Sequence, residues 1–430
     1  MKKTCIAAVL AVTAAFSMNA QTGDWTGKLK VSGVELSLVF HLGEESATLD
    51  VPDQGAEEIP VEVSRGTTGG ITLNVPAIGA SFRGLWAGKV IAGTFTQHGM
   101  SFPLTLTPGA PVLRRPQTPL GPFPYTTEEV AFTNGDAVLK GTLTLPENCG
   151  RNTPVLIMVT GSGLQNRDEE MFSHKPFAVI ADAFAKAGIA TLRYDDRGFG
   201  ESTGDVVLCT TEDLKNDALA GVKLLRSRFD SVGIIGHSEG GTVALMLAAE
   251  GQADFVISLA GMVISGAETL LAQNRRAYRS AGLSEAEVEA FARLLSDTFD
   301  AITSRSPLPS AEDYDLSDAL KQNYSMAVKQ LRTPYMEYFL GLDVSRSLSG
   351  VTCPVLALNG SKDTQVDCER NLAALREGLP AGSRNLIRAE EGLNHLFQHC
   401  TTGEFSEYKE IEETFSPDVL SEMITWIKAL

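Results

Sequence analysis

The sequence is short of several things, and each shortage excludes something. Past residue 20 no apolar run is long enough to cross a bilayer, so no integral membrane segment is expected. Basic residues are outnumbered, 36 Lys and Arg against 53 Asp and Glu, for a formal net charge of −17. That balance argues against a nucleic-acid partner and for a soluble chain, and says little about a substrate. Cysteine is sparse. Cys5 lies before an apolar run near the start, and Cys149, Cys209, Cys353, Cys368 and Cys400 follow far apart. These five have no zinc-ligand spacing and are too few for a disulfide scaffold, and their odd number leaves at least one thiol unpaired. Long low-complexity tracts and solenoid repeats are absent. Histidine is the most useful scarcity: there are six in 430 residues, few enough to seek a catalytic base by elimination.

Residues 1–20 read as a secretory leader, with Lys2 and Lys3 ahead of a short apolar run over 6–16 and small residues after it. This implies a periplasmic or secreted protein. Residues 21–107 form a separate region of short alternating runs. Leu36, Leu38 and Phe40 fall two apart, the period of a half-buried strand, and 71–75 and 102–106 repeat the pattern. Turns are expected at 65–70 and 84–93. The reading is a small antiparallel β domain, a curved sheet or partial barrel. It is either a packing and assembly module or a surface for carbohydrate, lipid or substrate, with Trp25, Trp86 and His98 as the residues to inspect. Six prolines over 108–124 predict a stiff, extended linker, a spacer or a strap, at the domain boundary.

From residue 125 the pattern changes. Two strands flank a turn at Asn134-Gly135-Asp136. Continuous apolar runs at 154–159, 189–194, 232–235 and 255–260 then alternate with helical patterns at 175–186, 214–228 and 242–250. Runs apolar on both faces, alternating with helices, mean a parallel sheet covered on both sides. The alternation stops at about 265–348, which reads as an inserted helical cap; Ser284 and Glu287 have capping-box spacing there. It resumes with a strand at 354–358, a helix at 368–379, a strand at 385–387 and a closing helix at 419–430.

The chemistry centres on Val232-Gly233-Ile234-Ile235-Gly236-His237-Ser238-Glu239-Gly240-Gly241. A buried strand runs into a sharp turn with Ser238 at its apex and a helix behind it. Gly236 and Gly240 remove the Cβ atoms that would collide where strand and helix approach. Gly-x-Ser-x-Gly alone is a weak signal. A second match surrounds Ser202, but it follows a loop rather than a strand and opens no helix, so Ser202 reads as a polar turn. A serine needs a base. His41 and His98 lie in the β domain, His174 precedes a helix elsewhere, His237 leaves the backbone in another direction from Ser238, and His399 is expected in a helix. That leaves His395, just past the last strand. The base needs a carboxylate. Asp363, in the loop after the 354–358 strand, is the choice; Asp367 is the fallback, better suited to capping the next helix. The oxyanion donors expected are the backbone N–H groups of Glu239 and of Ser162, with Gly163 next. Residues 165–170 read as a solvated polar loop in which Arg167 could instead contact an acidic substrate group. His395 and His399 lack the glutamate and third ligand of a metal site, so no metal and no cofactor are expected.

These stretches, with Thr160-Gly161-Ser162-Gly163, residues 194–202, residues 359–363 and Leu393-Asn394-His395, make the chain from about 125 to 430 resemble the α/β-hydrolase superfamily. It looks closest to secreted bacterial serine esterases of the dienelactone-hydrolase-like and peptidase-like branches. The resemblance implies an α/β-hydrolase fold with a helical cap, a Ser238, Asp363, His395 triad and an acyl-enzyme route to a small-molecule ester. It differs from dienelactone hydrolase in having serine for cysteine, and Thr160 stands where many relatives have histidine. The alternatives are a serine peptidase, which would need a carboxylate such as Glu337 or Asp343 for a free amino terminus, then an acyltransferase, then a non-catalytic envelope binding protein.

Overall fold

The fold is a computed structural model. It describes residues 22–430 except 32–33, 44–45, 52–55, 67–68, 98, 110–113 and 383. The leader and His98 lie outside the described residues. Two compact units divide at 112/113.

Alternation makes the first unit. β1 (Gly23–Val31), β2 (Val34–Leu42), β3 (Ala47–Val51), β4 (Ala56–Arg65), β5 (Gly70–Val75), β6 (Ala80–Ala87), β7 (Val90–Gln97) and β8 (Met100–Pro108) run as an antiparallel meander. β1 pairs with β8, Trp25 beside Pro108, so the sheet closes into a barrel rather than a partial one. Eight strands leave an interior that side chains fill, and Phe40, Leu49, Leu73, Phe82 and Leu106 fill it. Gly84 and Gly93 are not turn residues. They face each other inside β6 and β7, where a Cβ on Gly93 would lie 2.2 Å from the Arg83 carbonyl oxygen; the turn is at residues 88–89. Trp25 is a core residue, edge-on to Trp86 with ring centroids 5.1 Å apart.

The second unit is an eight-stranded sheet. Its strands are β9 (Thr126–Asn134), β10 (Ala137–Leu145), β11 (Val155–Val159), β12 (Ala190–Tyr194), β13 (Val232–His237), β14 (Phe255–Leu259), β15 (Val355–Gly360) and β16 (Leu386–Glu390). The order is β16-β15-β14-β13-β11-β12-β10-β9, parallel from β16 to β12. Its helices are α1 (Pro176–Lys186), α2 (Thr211–Arg226), α3 (Glu239–Ala249), α4 (Gly266–Ser280), α5 (Glu285–Thr303), α6 (Asp318–Leu331), α7 (Pro334–Gly341), α8 (Cys368–Gly378) and α9 (Pro417–Lys428). The period of two sorts the strand side chains. Val155, Ile157 and Ile234 join the core under α2, α3 and α8, whereas Leu156, Met158 and Ile235 join the core under α1 and α9. Both faces are apolar because both are covered. Between β14 and β15, helices α4 to α7 form the insert, which has its own core of Phe291, Leu294, Phe299 and Leu320.

β12 lies on one side of β11 and β13 on the other, so the connections diverge at the carboxyl ends of β11 and β13. Such a divergence opens a crevice between two loops. It lies between the Thr160–Gly161 loop and the Ser238 turn.

Two polar devices secure the loops behind that crevice. Within the second unit the proline-rich segment is a strap rather than a free spacer. The Arg115 guanidinium donates only to main-chain carbonyls: Phe172 at 2.8 and 3.0 Å, Lys409 at 2.8 Å, Ile411 at 2.9 Å and Arg114 at 2.9 Å. Gln117 Oε1 accepts from the N–H of Thr414 at 2.6 Å. Arg115→Ala is expected to cost about 1–3 kcal/mol, because several partly buried carbonyls lose their donor at once. Arg115→Lys should not restore it, since an ammonium cannot span the fork's targets. Urea unfolding of the three proteins checks this.

His174 is buried beneath the strap, its Nδ1 2.9 Å from Thr414 Oγ1 and its Nε2 3.0 Å from the Tyr408 carbonyl. Burial pushes its pKa down from 6.5 to about 4. Between those values the unfolded chain binds a proton that the folded chain refuses, so stability falls as pH drops from 6.5 toward 4, by about 3 kcal/mol in all. Unfolding free energies measured at pH 7 and 4.5 should differ less in His174→Gln than in the wild type.

Candidate active site

The turn after β13 is dictated by contact distances. A Cβ on Gly236 would sit 2.0 Å from the Gly240 carbonyl oxygen, and one on Gly240 would sit 2.0 Å from the Val159 carbonyl oxygen. Side chains at either place would push α3 off the sheet. The turn throws Ser238 to φ 52°, ψ −119°, a sparsely populated conformation costing about 1–3 kcal/mol. Its N–H donates to the Leu259 carbonyl at 2.8 Å. The hydroxyl-bearing residue therefore stands at the strand's end, ahead of the amino terminus of α3, where backbone N–H groups favour negative charge.

The Asp363 loop follows β15. Asp363 Oδ1 accepts from the N–H groups of Gln365 at 2.8 Å and Val366 at 2.9 Å, and this turns Oδ2 toward His395 Nδ1, 2.7 Å away. Both side chains are buried. With Nδ1 committed to Asp363, Nε2 is the nitrogen left to exchange a proton. Asn394 holds the His395 loop, its Oδ1 accepting from Leu396 and Gln398 N–H at 3.0 Å each. A Cβ on Gly360 would be 2.3 Å from the Leu393 carbonyl oxygen, so the Asp363 and His395 loops cross almost in contact. Asp367 caps α8 instead, accepting from Arg370 N–H at 3.0 Å.

Ser238 and His395 line one cavity of about 290 Å³. Gly161 and Ser162 form part of its wall. The Gly161 N–H is taken by Glu169 Oε1 at 2.7 Å. Among the described residues no protein acceptor stands against the N–H groups of Ser162 or Glu239. The insert supplies the apolar side, with Leu270, Met336 and Phe339.

The family model for X-Pro dipeptidyl-peptidase (S15 family) matches residues 134–392. The chain belongs to this family. As an S15-family chain it is an α/β-hydrolase, and the match spans the Ser238 turn and Asp363 but stops short of His395. It is 28% identical over 277 residues to the esterase EstD of Thermotoga maritima, a stretch that covers 64% of this chain and 61% of that one. The chain thus spans less than two thirds of that relative's length. Among solved structures it is similar to an esterase of Pyrococcus furiosus, with 16% identity and a TM-score of 0.44, covering 75% of this chain and 98% of that one. It is similar also to a dienelactone hydrolase of Anabaena variabilis, with 17% identity and a TM-score of 0.39, covering 71% and 98%.

Several residues of this S15-family chain sit otherwise than expected. The 165–170 loop is not merely solvated. Arg167 is bidentate to Asp195 at 2.8 and 3.1 Å and also donates to Glu129 at 2.7 Å and Glu201 at 2.6 Å. Its guanidinium is used up and does not face the cavity. Thr160 Oγ1 donates to Asp196 at 2.9 Å and Gln165 N–H does so at 2.8 Å, so Asp196 ties down the loop after β11. Burial pushes the Asp196 carboxyl up to about 8, against those hydrogen bonds and with help from Glu169 and Asp217. Ser202 is a staple, donating to the Asp195 carbonyl at 2.8 Å and accepting from Lys140 N–H at 2.9 Å. His399 lies in no helix; its Nδ1 faces Glu413 at 2.8 Å. Among the described residues no group of three His, Cys, Asp or Glu side chains is arranged for a metal, and the five cysteines there are free.

Three cavity residues were missed. His237 has both ring nitrogens paired away from Ser238, yet its ring lies 4.6 Å from that of His395 and lines the cavity. Glu169, only 4% exposed, lies against it. Tyr335, on the insert, donates to the buried Glu239 carboxylate at 2.5 Å, which also accepts from Thr211 at 2.6 Å. Only the placement of His237 beside Ser238 left any trace in the sequence. Tyr335→Phe should cost about 1–3 kcal/mol, because a buried carboxylate loses one of its two side-chain donors; thermal and urea unfolding of this variant measure it.

Proposed function

We propose that the protein is a serine hydrolase of carboxylic esters. The observation that carries the reading is that Ser238, on its strained turn, and His395, held by Asp363, line one cavity. In the proposed mechanism His395 Nε2 takes the Ser238 proton as Oγ attacks the ester carbonyl. The negative charge on the former carbonyl oxygen is met by the N–H groups of Ser162 and Glu239. The tetrahedral adduct collapses, His395 hands its proton to the departing alkoxide, and Ser238 keeps the acyl group. Water, deprotonated by His395, then releases the acid. A cavity of about 290 Å³ with Leu270, Met336 and Phe339 on its insert side suits a small acyl or alkoxy group.

The family match supports a second reading, a peptidase. A peptidase that grips a free amino terminus needs an unengaged carboxylate near Ser238. Glu337 pairs with Arg305 at 2.9 Å, and Asp343 pairs with Arg346 at 2.8 Å and accepts from Ser345 at 2.5 Å. Neither lines the cavity. This favours the ester.

A panel of p-nitrophenyl esters and aminoacyl anilides separates the two. Esters should be cleaved faster, Ser238→Ala should lose at least about 10⁴-fold in kcat, and a fluorophosphonate should label Ser238. Faster anilide cleavage would move the assignment to a peptidase. An active Ser238→Ala variant would sink both.

A further inference from the structure

We infer that Glu169 and His237 are a positioning pair that fixes the oxyanion loop and the base loop relative to each other; this rests on the ester-hydrolase reading above. The pair spans the site. Glu169 Oε1 accepts from Gly161 N–H at 2.7 Å, and His237 Nδ1 lies 2.9 Å from the same oxygen. On the far side of the ring, His237 Nε2 lies 2.9 Å from the His395 carbonyl oxygen. One hydrogen-bonded chain therefore runs from the residue before Ser162, through two side chains, to the backbone of the base. Position 161 is also against the reacting serine: a Cβ there would be 3.2 Å from Ser238 Cβ.

The protonation state follows from the partners. A carboxylate oxygen and a carbonyl oxygen both accept, so both ring nitrogens must carry hydrogen. His237 is then an imidazolium, neutralised by Glu169. Burial opposes that charge, but the Glu169 carboxylate outweighs it and raises the His237 pKa above the ordinary value. A neutral ring would set a lone pair against an oxygen lone pair at one end and release either Glu169 or His395. Neither residue transfers a proton to substrate. Each acts through the atoms it holds, and a shift of 1 Å in those atoms costs roughly 100-fold in rate.

The test uses the full chain and p-nitrophenyl butyrate. Glu169→Gln and His237→Phe should each lower kcat by about 10- to 100-fold while KM changes less than about threefold. The double variant should lose no more than the worse single, because both break the same link. In the wild type, ¹⁵N NMR at pH 7 should show both His237 nitrogens protonated, a readout that needs no variant to fold. Folded variants with kcat within about twofold of wild type, losses that multiply in the double variant, a rise in KM alone, or a His237 ring with one bare nitrogen would each overturn the inference. Ser238→Ala and fluorophosphonate labelling, run alongside, show whether the underlying reading has failed instead. If it has, the nitrogen spectrum alone decides whether the pair exists.

Discussion

The site depends on how closely three backbones pass. α3 starts so near the ends of β11 and β13 that Gly240 lies against the Val159 carbonyl and Gly236 against Gly240. No side chain fits in either gap. With the helix pressed down, the chain between Gly236 and Gly240 has no relaxed path, and Ser238 takes the strain. The strain persists because the packing around it over-determines it. α3 is buried along most of its length, with Val243, Ala244, Leu245, Leu247 and Ala248 in the core. The serine's exposure is thus maintained by apolar burial on the other side of the helix.

The loops around the turn are held differently. Alongside buried apolar side chains such as Leu393 and Phe397 they use buried carboxylates. Asp363, Asp195, Asp196 and Glu169 each accept from backbone N–H groups of a loop that would otherwise be free. A carboxylate can accept several donors at once, so a single buried acid sets the shape of a whole loop. This also places negative charge deep in the domain, where burial is costly unless the charge is paired or protonated. Arg167 answers Asp195, His395 faces Asp363 and His237 faces Glu169.

What could be read from the sequence follows from the range of the forces involved. The sheet was legible because short runs apolar on both faces, such as 232–235 and 255–260, alternate with longer helical patterns. The serine turn was legible because glycine at 236 and 240 is a steric requirement written into single residues. His395 was reached by elimination, a route open only because histidine is scarce, and Asp363 by its place in the loop after a strand. Barrel closure left no mark, since it depends on β1 meeting β8 some eighty residues away. The turn expected over 84–93 was found at 88–89, but its bounds were too wide for a similar reason. Glycine in a turn and glycine under a crossing strand look alike until the partner strand is known. The polar loop over 165–170 failed most clearly. Its charges signalled solvent, but Arg167 and Glu169 have buried partners on other elements, Asp195 and His237, and a partner is invisible from one position.

The Arg115 strap has a consequence for how this chain can vary. Its guanidinium recognises carbonyl oxygens of residues 172, 409 and 411, and a carbonyl is the same whatever side chain its residue bears. The three recognised positions are therefore free to drift, provided the main chain keeps its path, while the recognising position is not. Mutational tolerance on the two sides of this contact should be lopsided: broad at the acceptors, narrow at a single arginine outside the cavity lining.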